Sequence, residues 1–145
     1  MHWLWWALLS ALFAGCTAYL AKLGVEKIDS DLATAIRTTI ILFVVWAIAA
    51  ARSSQPIGEI SRQSWLYLTL SALATGASWL CYFQALKLGP VSSVAPIDKL
   101  SVVVAMALGA LLLYEKLTWR DWLGGGLIVA GAIVIATKLP AASAE

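Results

Sequence analysis

The sequence is poor in charge, with one histidine and two cysteines among 145 residues. Lys, Arg, Asp and Glu together make up 12%, about half of the roughly 25% found in soluble domains. An ordinary soluble globule is therefore excluded. The single histidine, His2, denies the chain a His-based triad or a His-rich metal site. No phosphate loop, GxGxxG or CxxC occurs, and no paired aspartates stand at the depth an intramembrane protease needs. The expectation is a chain with no enzymatic activity, no cofactor and no metal. Cys16 and Cys81 both lie in apolar runs and define no disulfide framework. A net charge of +2, scattered along the chain, is too weak a footprint for a nucleic-acid partner.

What the chain has is apolar length. Hydrophobic residues make up 61% and mean hydropathy is +0.85. At ~20 apolar residues per crossing, the length allows about five to six helical spans. The apolar runs lie at about 3–21, 32–51, 65–86, 91–114 and 122–137. No alternating pattern of useful length suggests a barrel. The expected architecture is an all-α integral membrane protein of five transmembrane helices, a single domain over 1–145, with membrane lipid as its first partner.

Local chemistry marks the ends of these runs. Trp3, Trp5 and Trp6 open the first as an interfacial aromatic belt. A signal peptide is the competing reading, since Phe13-Ala14-Gly15-Cys16 loosely resembles a lipobox. Against it, no Lys or Arg precedes the run and four more runs follow. Asp29-Ser30-Asp31 suits a helix N-terminus, where oxygens meet unpaired backbone N–H groups. Residues 52–64, with Pro56 and Gly58, suit a loop or short interfacial helix. Lys87-Leu88-Gly89-Pro90 carries breaker chemistry. Trp119 and Lys138 flank the short fifth run as headgroup anchors, and an Ala/Ser tail follows. Loop cations are balanced: Arg52, Arg62, Lys116 and Arg120 lie on the N-terminal side, with Lys22, Lys27, Lys87 and Lys138 opposite. The orientation signal is thus close to nil.

Ionisable groups inside the runs are the candidates for function, because each costs about 2.5–3.5 kcal/mol at mid-span on the insertion scale. Asp98 lies about 10 Å into the fourth run at the helical rise. Lys99 follows it, but helical neighbours do not face each other, so one of the two requires another partner. Arg37 lies about 6–8 Å into the second run from the same side, which leaves an Arg37–Asp98 pair open. Snorkelling is the structural alternative for both cations. Pro96 removes a backbone donor and frees a carbonyl near Ser92, an arrangement that survives in a membrane only where protein or water satisfies it.

The third run adds a polar stripe. Ser71, Thr75, Ser78 and Tyr82 fall within a ~60° arc of one helix face. Trp79 flanks that face and Gln84 points away from it. Ser10, Ala14, Thr17 and Ala21 form a small-residue face on the first run, and helix packing explains such faces equally well. Gly124, Gly125, Gly126, Ala130 and Gly131 give the fifth run a face for close helix packing or dimer contact.

From Thr75 to Val134 the sequence resembles one EamA repeat of the drug/metabolite transporter superfamily. The features that carry the resemblance are an aromatic-rich span ending in Ala85-Leu86 and Gly89-Pro90, then Ala95-Pro96 in the next helix. Glu115 closes that helix and a Gly-rich last span follows. The resemblance implies transport, without naming a substrate. With no ATPase motif present, the expectation is secondary transport of small metabolites or amphipathic compounds across the cytoplasmic membrane, and Asp98, an acid at span depth, is the candidate to carry a coupling proton. Full-length relatives carry two oppositely oriented repeats, whereas this chain has one. The resemblance therefore implies a pair of chains alternating in access. That pair is an antiparallel homodimer with dual topology or a heterodimer with a sister protein. The substrate path would be drawn from Asp98, Lys99, Pro96, Arg37, Tyr82, Trp79, Ser78 and Thr75. The alternatives are a non-transporting subunit that packs against a partner and a lipid-carrier flippase.

Overall fold

A computed structural model of the chain describes residues 2–53 and 56–137. Lys138 and the Ala/Ser tail lie outside the described residues. Six helices account for most of the rest: α1 (His2–Val25), α2 (Ser30–Arg52), α3 (Arg62–Leu88), α4 (Val91–Asp98), α5 (Leu100–Leu112) and α6 (Trp119–Ala136). A 3-10 turn at Ile57–Glu59 occupies the 52–64 connection. Among the described residues there is no strand. Taking α4 and α5 together as Val91–Leu112, five helical segments are long and apolar enough to cross a membrane. The chain is thus an all-α, multi-pass membrane protein with five spans.

Hydrogen-bond chemistry explains the helix ends. Asp29 caps α2, its Oδ1 accepting from the backbone N–H of Asp31 at 2.9 Å and of Leu32 at 3.4 Å. Two donors that a helix start leaves orphaned are thereby satisfied. At α6, one oxygen of Asp121 accepts from both the backbone N–H and the hydroxyl of Thr118, each at 2.7 Å. That capping arrangement starts the fifth span at Trp119, three residues earlier than the apolar pattern suggests. Gly89 and Pro90 separate α3 from α4, because proline fixes its own backbone and disfavours helix at the residue before it.

The fourth span ends at Leu112 rather than Tyr114. Tyr114 adopts φ 55°, an uncommon left-handed conformation for a non-glycine residue. The backbone N–H groups of Leu113 and Glu115 both return to the Gly109 carbonyl, at 3.1 Å each. The Glu115 carboxylate folds over Gly109, 2.8 Å from where a Cβ would stand.

The chain divides into two compact units, one spanning Tyr19–Leu88 and the other formed by the stretches up to Ala18 and from Gly89 onward. In the 19–88 unit, α2 lies along α3. Val25 and Leu86 have no exposed surface, Phe83 keeps 3% and Ala33 7%. In the other unit, α6 packs on α4 and α5. Gly125 and Ala132, seven residues apart, are buried there, and the Met106 side chain lies 3.4 Å from where a Cβ on Gly125 would stand. Elsewhere the surface is apolar: Phe43, Leu73 and Val134 are among many large side chains left exposed. In water such a surface would aggregate, whereas lipid accommodates it without cost. Trp3, Trp5 and Trp6 are likewise exposed at the start of α1.

Candidate functional site

The polar chemistry of the 19–88 unit gathers where the C-terminal part of α3 meets the start of α2. Lys22 Nζ donates to the Leu86 carbonyl at 2.7 Å, tying the end of α1 to α3. Buried Ser30 donates through Oγ to Gln84 Oε1 at 2.6 Å. Gln84, expected to point away from the polar stripe, is thus engaged by α2.

Two turns beyond Ser30 into the span, Arg37 is half-buried. Its guanidinium carbon lies 4.5 Å from the centre of the Trp79 ring and 5.6 Å from that of Phe83. Phe83 in turn meets Tyr82 edge-on, with ring centres 6.5 Å apart. The long Arg stem therefore leads to an aromatic seat rather than to an acidic partner within this unit. The ring quadrupoles attract the cation, and stacking covers its faces while leaving its N–H edge available.

Below this seat, a groove of about 360 Å³ opens between α2 and α3. Its polar lining is Thr34 and Thr38 from α2 with Ser71 and Thr75 from α3. Leu68, Ala72 and Gly76 form the apolar wall, and Trp79 lies at its edge. Three of the hydroxyls are oriented by their own helices. Thr34 donates to the Ser30 carbonyl at 2.8 Å, Thr38 to Thr34 at 2.7 Å and Thr75 to Ser71 at 2.9 Å. Those protons are committed to carbonyls four residues back, so these oxygens face outward as acceptors.

The seam of α3 against α2 runs through Leu68, Ala72, Thr75, Trp79, Phe83 and Leu86, spaced three or four residues apart. Ser71 and Thr75 border it, but Ser78 is exposed and does not line the groove. The bulkier Trp79 occupies that level instead. Thr34 and Thr38 were not among the sequence candidates, although Thr34, Arg37 and Thr38 share one face of α2 by their spacing. That signal was present. It is masked by reading each hydroxyl in an apolar run as packing.

In the other unit, Pro96 sits within α4, which stops at Asp98. Lys99 occupies the turn before α5, its N–H returning to the Pro96 carbonyl at 3.1 Å. Lys99 keeps right-handed helical backbone angles at this turn, φ −68° and ψ −8°, and its long side chain reaches back to its neighbour. Lys99 Nζ lies 3.4 Å from Asp98 Oδ2 in an ion pair, with the two side chains 55% and 35% exposed. The expectation that one of them must find a distant partner is thereby removed. On α6, Gly124, Gly126 and Gly131 have open space where a Cβ would project, and Ala130 is exposed. Only Gly125 of that expected face serves a close approach within the chain. Among the described residues no cluster of His, Cys, Asp and Glu could hold a metal ion.

Comparison with known proteins agrees with this architecture. Residues 1–137 match the family model described as the EamA-like transporter family. The chain is 56% identical to an "Uncharacterized transporter in cobO 3'region" from Sinorhizobium sp, over 92% of this chain and 96% of that protein. It is 32% identical to a "Probable 4-amino-4-deoxy-L-arabinose-phosphoundecaprenol flippase subunit ArnE" from Klebsiella pneumoniae (strain 342), over 57% of this chain and 73% of the relative. A protein of the same description from Hamiltonella defensa is 26% identical over 66% of the chain and 92% of the relative. No solved structure matches. With the family model covering nearly its whole length, the chain belongs to the EamA-like transporter family.

Proposed function

We propose that the chain is a secondary transporter of small metabolites or amphipathic compounds in the cytoplasmic membrane, working as a dimer with alternating access. The observation that carries this reading is the groove between α2 and α3, where four hydroxyls line a space within membrane-spanning helices and Trp79 of its wall also stacks on the Arg37 guanidinium. Polar groups at that depth are costly, and a path for a polar solute is what uses them. The helix break at Lys99 supplies the second element. A helix interrupted beside charges at span depth resembles the discontinuous helices of transporter sites, and Asp98 is the group assigned to ion coupling. No catalytic step enters the reading.

A single repeat with five spans puts its termini on opposite sides of the membrane. Two chains in opposite orientation would then restore the inverted pair of repeats on which alternating access rests. Gly126 and Ala130, four residues apart on one exposed side of α6, support close packing of a second chain. The partner is an antiparallel second copy or a sister protein of opposite orientation.

The flippase reading has one specific observation in its favour, the relatives described as flippase subunits. On that reading the substrate carries a lipid chain. A subunit that only packs against a partner is the remaining alternative. Purified protein in proteoliposomes, presented with a metabolite mixture and read by mass spectrometry, tests the proposal. Uptake should be lost in Asp98→Asn while insertion and pairing persist. Uptake no greater than in empty liposomes, for soluble and lipid-linked solutes alike, leaves only the packing subunit.

A further inference from the structure

Arg37 is placed differently from the other charges of the chain. It lies seven residues, roughly 10 Å, along α2 and is half-buried. Its guanidinium rests on Trp79 and Phe83 at 4.5 and 5.6 Å. Aromatic faces offset part of the cost of a buried cation, but they cannot accept the in-plane N–H groups. Those five donors form a planar fork whose geometry matches an oxyanion.

Trp79 belongs both to this seat and to the groove wall, so one ring joins the cation to the groove. Three of the groove's four hydroxyls have the opposite polarity. Thr34, Thr38 and Thr75 commit their protons to backbone carbonyls and present acceptor oxygens. A ligand that satisfies both parts needs an anionic group for the fork and hydroxyl or amine donors for the threonines. Leu68, Ala72 and Gly76 leave an apolar wall beside them.

From this arrangement we infer that the substrate is an organic oxyanion, a phosphate or carboxylate carrying neighbouring hydroxyl or amine donors, held by Arg37 and the α2–α3 threonines. The inference rests on the transport reading and deepens it by naming the substrate class. The same headgroup chemistry occurs free in water or at the end of a lipid. The distinction between the two is left to the measurement.

The experiment uses the purified full chain in nanodiscs of zwitterionic phosphatidylcholine. Three probes are titrated: glycerol 3-phosphate, glycerate, and lysophosphatidic acid, which adds an acyl chain to the first. Choline is the cationic control. At least one oxyanion should bind and choline should not. Arg37→Gln should weaken that binding by at least about tenfold, the size expected for a charge-assisted hydrogen bond. Arg37→Lys keeps the charge but loses the fork, and should weaken binding severalfold. This second variant decides the matter if Arg37→Gln does not insert. Thr38→Val, outside the Arg37 seat, should reduce affinity for the hydroxylated probes with thermal stability unchanged. Binding of glycerol 3-phosphate or glycerate assigns a soluble substrate, and binding of lysophosphatidic acid alone assigns a lipid headgroup. Binding of choline instead, or oxyanion binding indifferent to both Arg37 variants, overturns the inference.

Uptake of the same probes into proteoliposomes separates the two claims. Solute exchange that persists in Arg37→Gln overturns the oxyanion site and leaves transport standing. Arg37-dependent binding without uptake overturns transport and leaves the oxyanion site standing.

Discussion

The two units of this chain solve one problem, holding helices together in lipid, by different means. In the 19–88 unit the links are polar and aromatic: Ser30 to Gln84, Lys22 to the Leu86 carbonyl, and Arg37 on Trp79 and Phe83. In the other, α6 meets its neighbours through small residues, with Gly125 against Met106 and Ala132 buried. The ion pair there is local, between adjacent residues at a helix break. Lipid removes the hydrophobic drive between helices, so association depends on hydrogen bonds or on close van der Waals approach. The first unit uses mainly the former and the second mainly the latter. The difference has a functional side. Polar links that hold helices slightly apart leave a lined groove, whereas glycine contacts close the space.

Substitutions can break this contrast, and their effects should differ in size. Phe83→Ala should be the most damaging, since it empties a buried position and removes half of the Arg37 seat. A loss of about 3 kcal/mol is expected, the lower end for a buried ring because lipid is itself apolar, measured by denaturation from micelles. Gly125→Leu comes next. Four further carbons cannot fit against Met106 at 3.4 Å, and overpacking should cost about 2 kcal/mol. Ser30→Ala removes the donor to Gln84 from a buried position and should cost about 1 kcal/mol, read in the same denaturation. Thr118→Ala, which removes one of the two donors to Asp121, should cost about 0.5–1 kcal/mol. The smallest effect is the sharpest control. Gly126→Leu projects into open space and should leave the stability of the isolated chain within about 0.5 kcal/mol. It should nevertheless weaken pairing, measured by cross-linking in membranes, if the exposed glycine face joins two chains.

Much of this architecture was legible in the residues. Asp29 marked the start of α2, and Gly89-Pro90 divided α3 from α4, because capping oxygens and proline act on their nearest backbone neighbours. Pro96, Asp98 and Lys99 marked an interruption of the fourth run, and the break falls at Lys99. The ion pair between these adjacent residues is visible only in the structure. The polar stripe of α3 was visible at Ser71 and Thr75 but drifted off at Ser78, since a large ring at Trp79 sets the contact seam. Thr34 and Thr38 were overlooked because a hydroxyl in an apolar run satisfies itself on its own helix and announces nothing.

By itself, the sequence determined that this is a membrane protein of five helical spans, where those helices begin to within about three residues, and which few charges lie inside them. Those properties are one-dimensional: hydropathy over about twenty residues and hydrogen bonds within a turn fix them. Only the tertiary structure decided that Arg37 rests on Trp79 and Phe83, that Gln84 serves Ser30, and that the threonines of α2 face the hydroxyls of α3 across a groove. These depend on the rotation of each helix about its axis. In lipid no difference in water exposure sets that rotation, so side-chain fit between neighbours decides it.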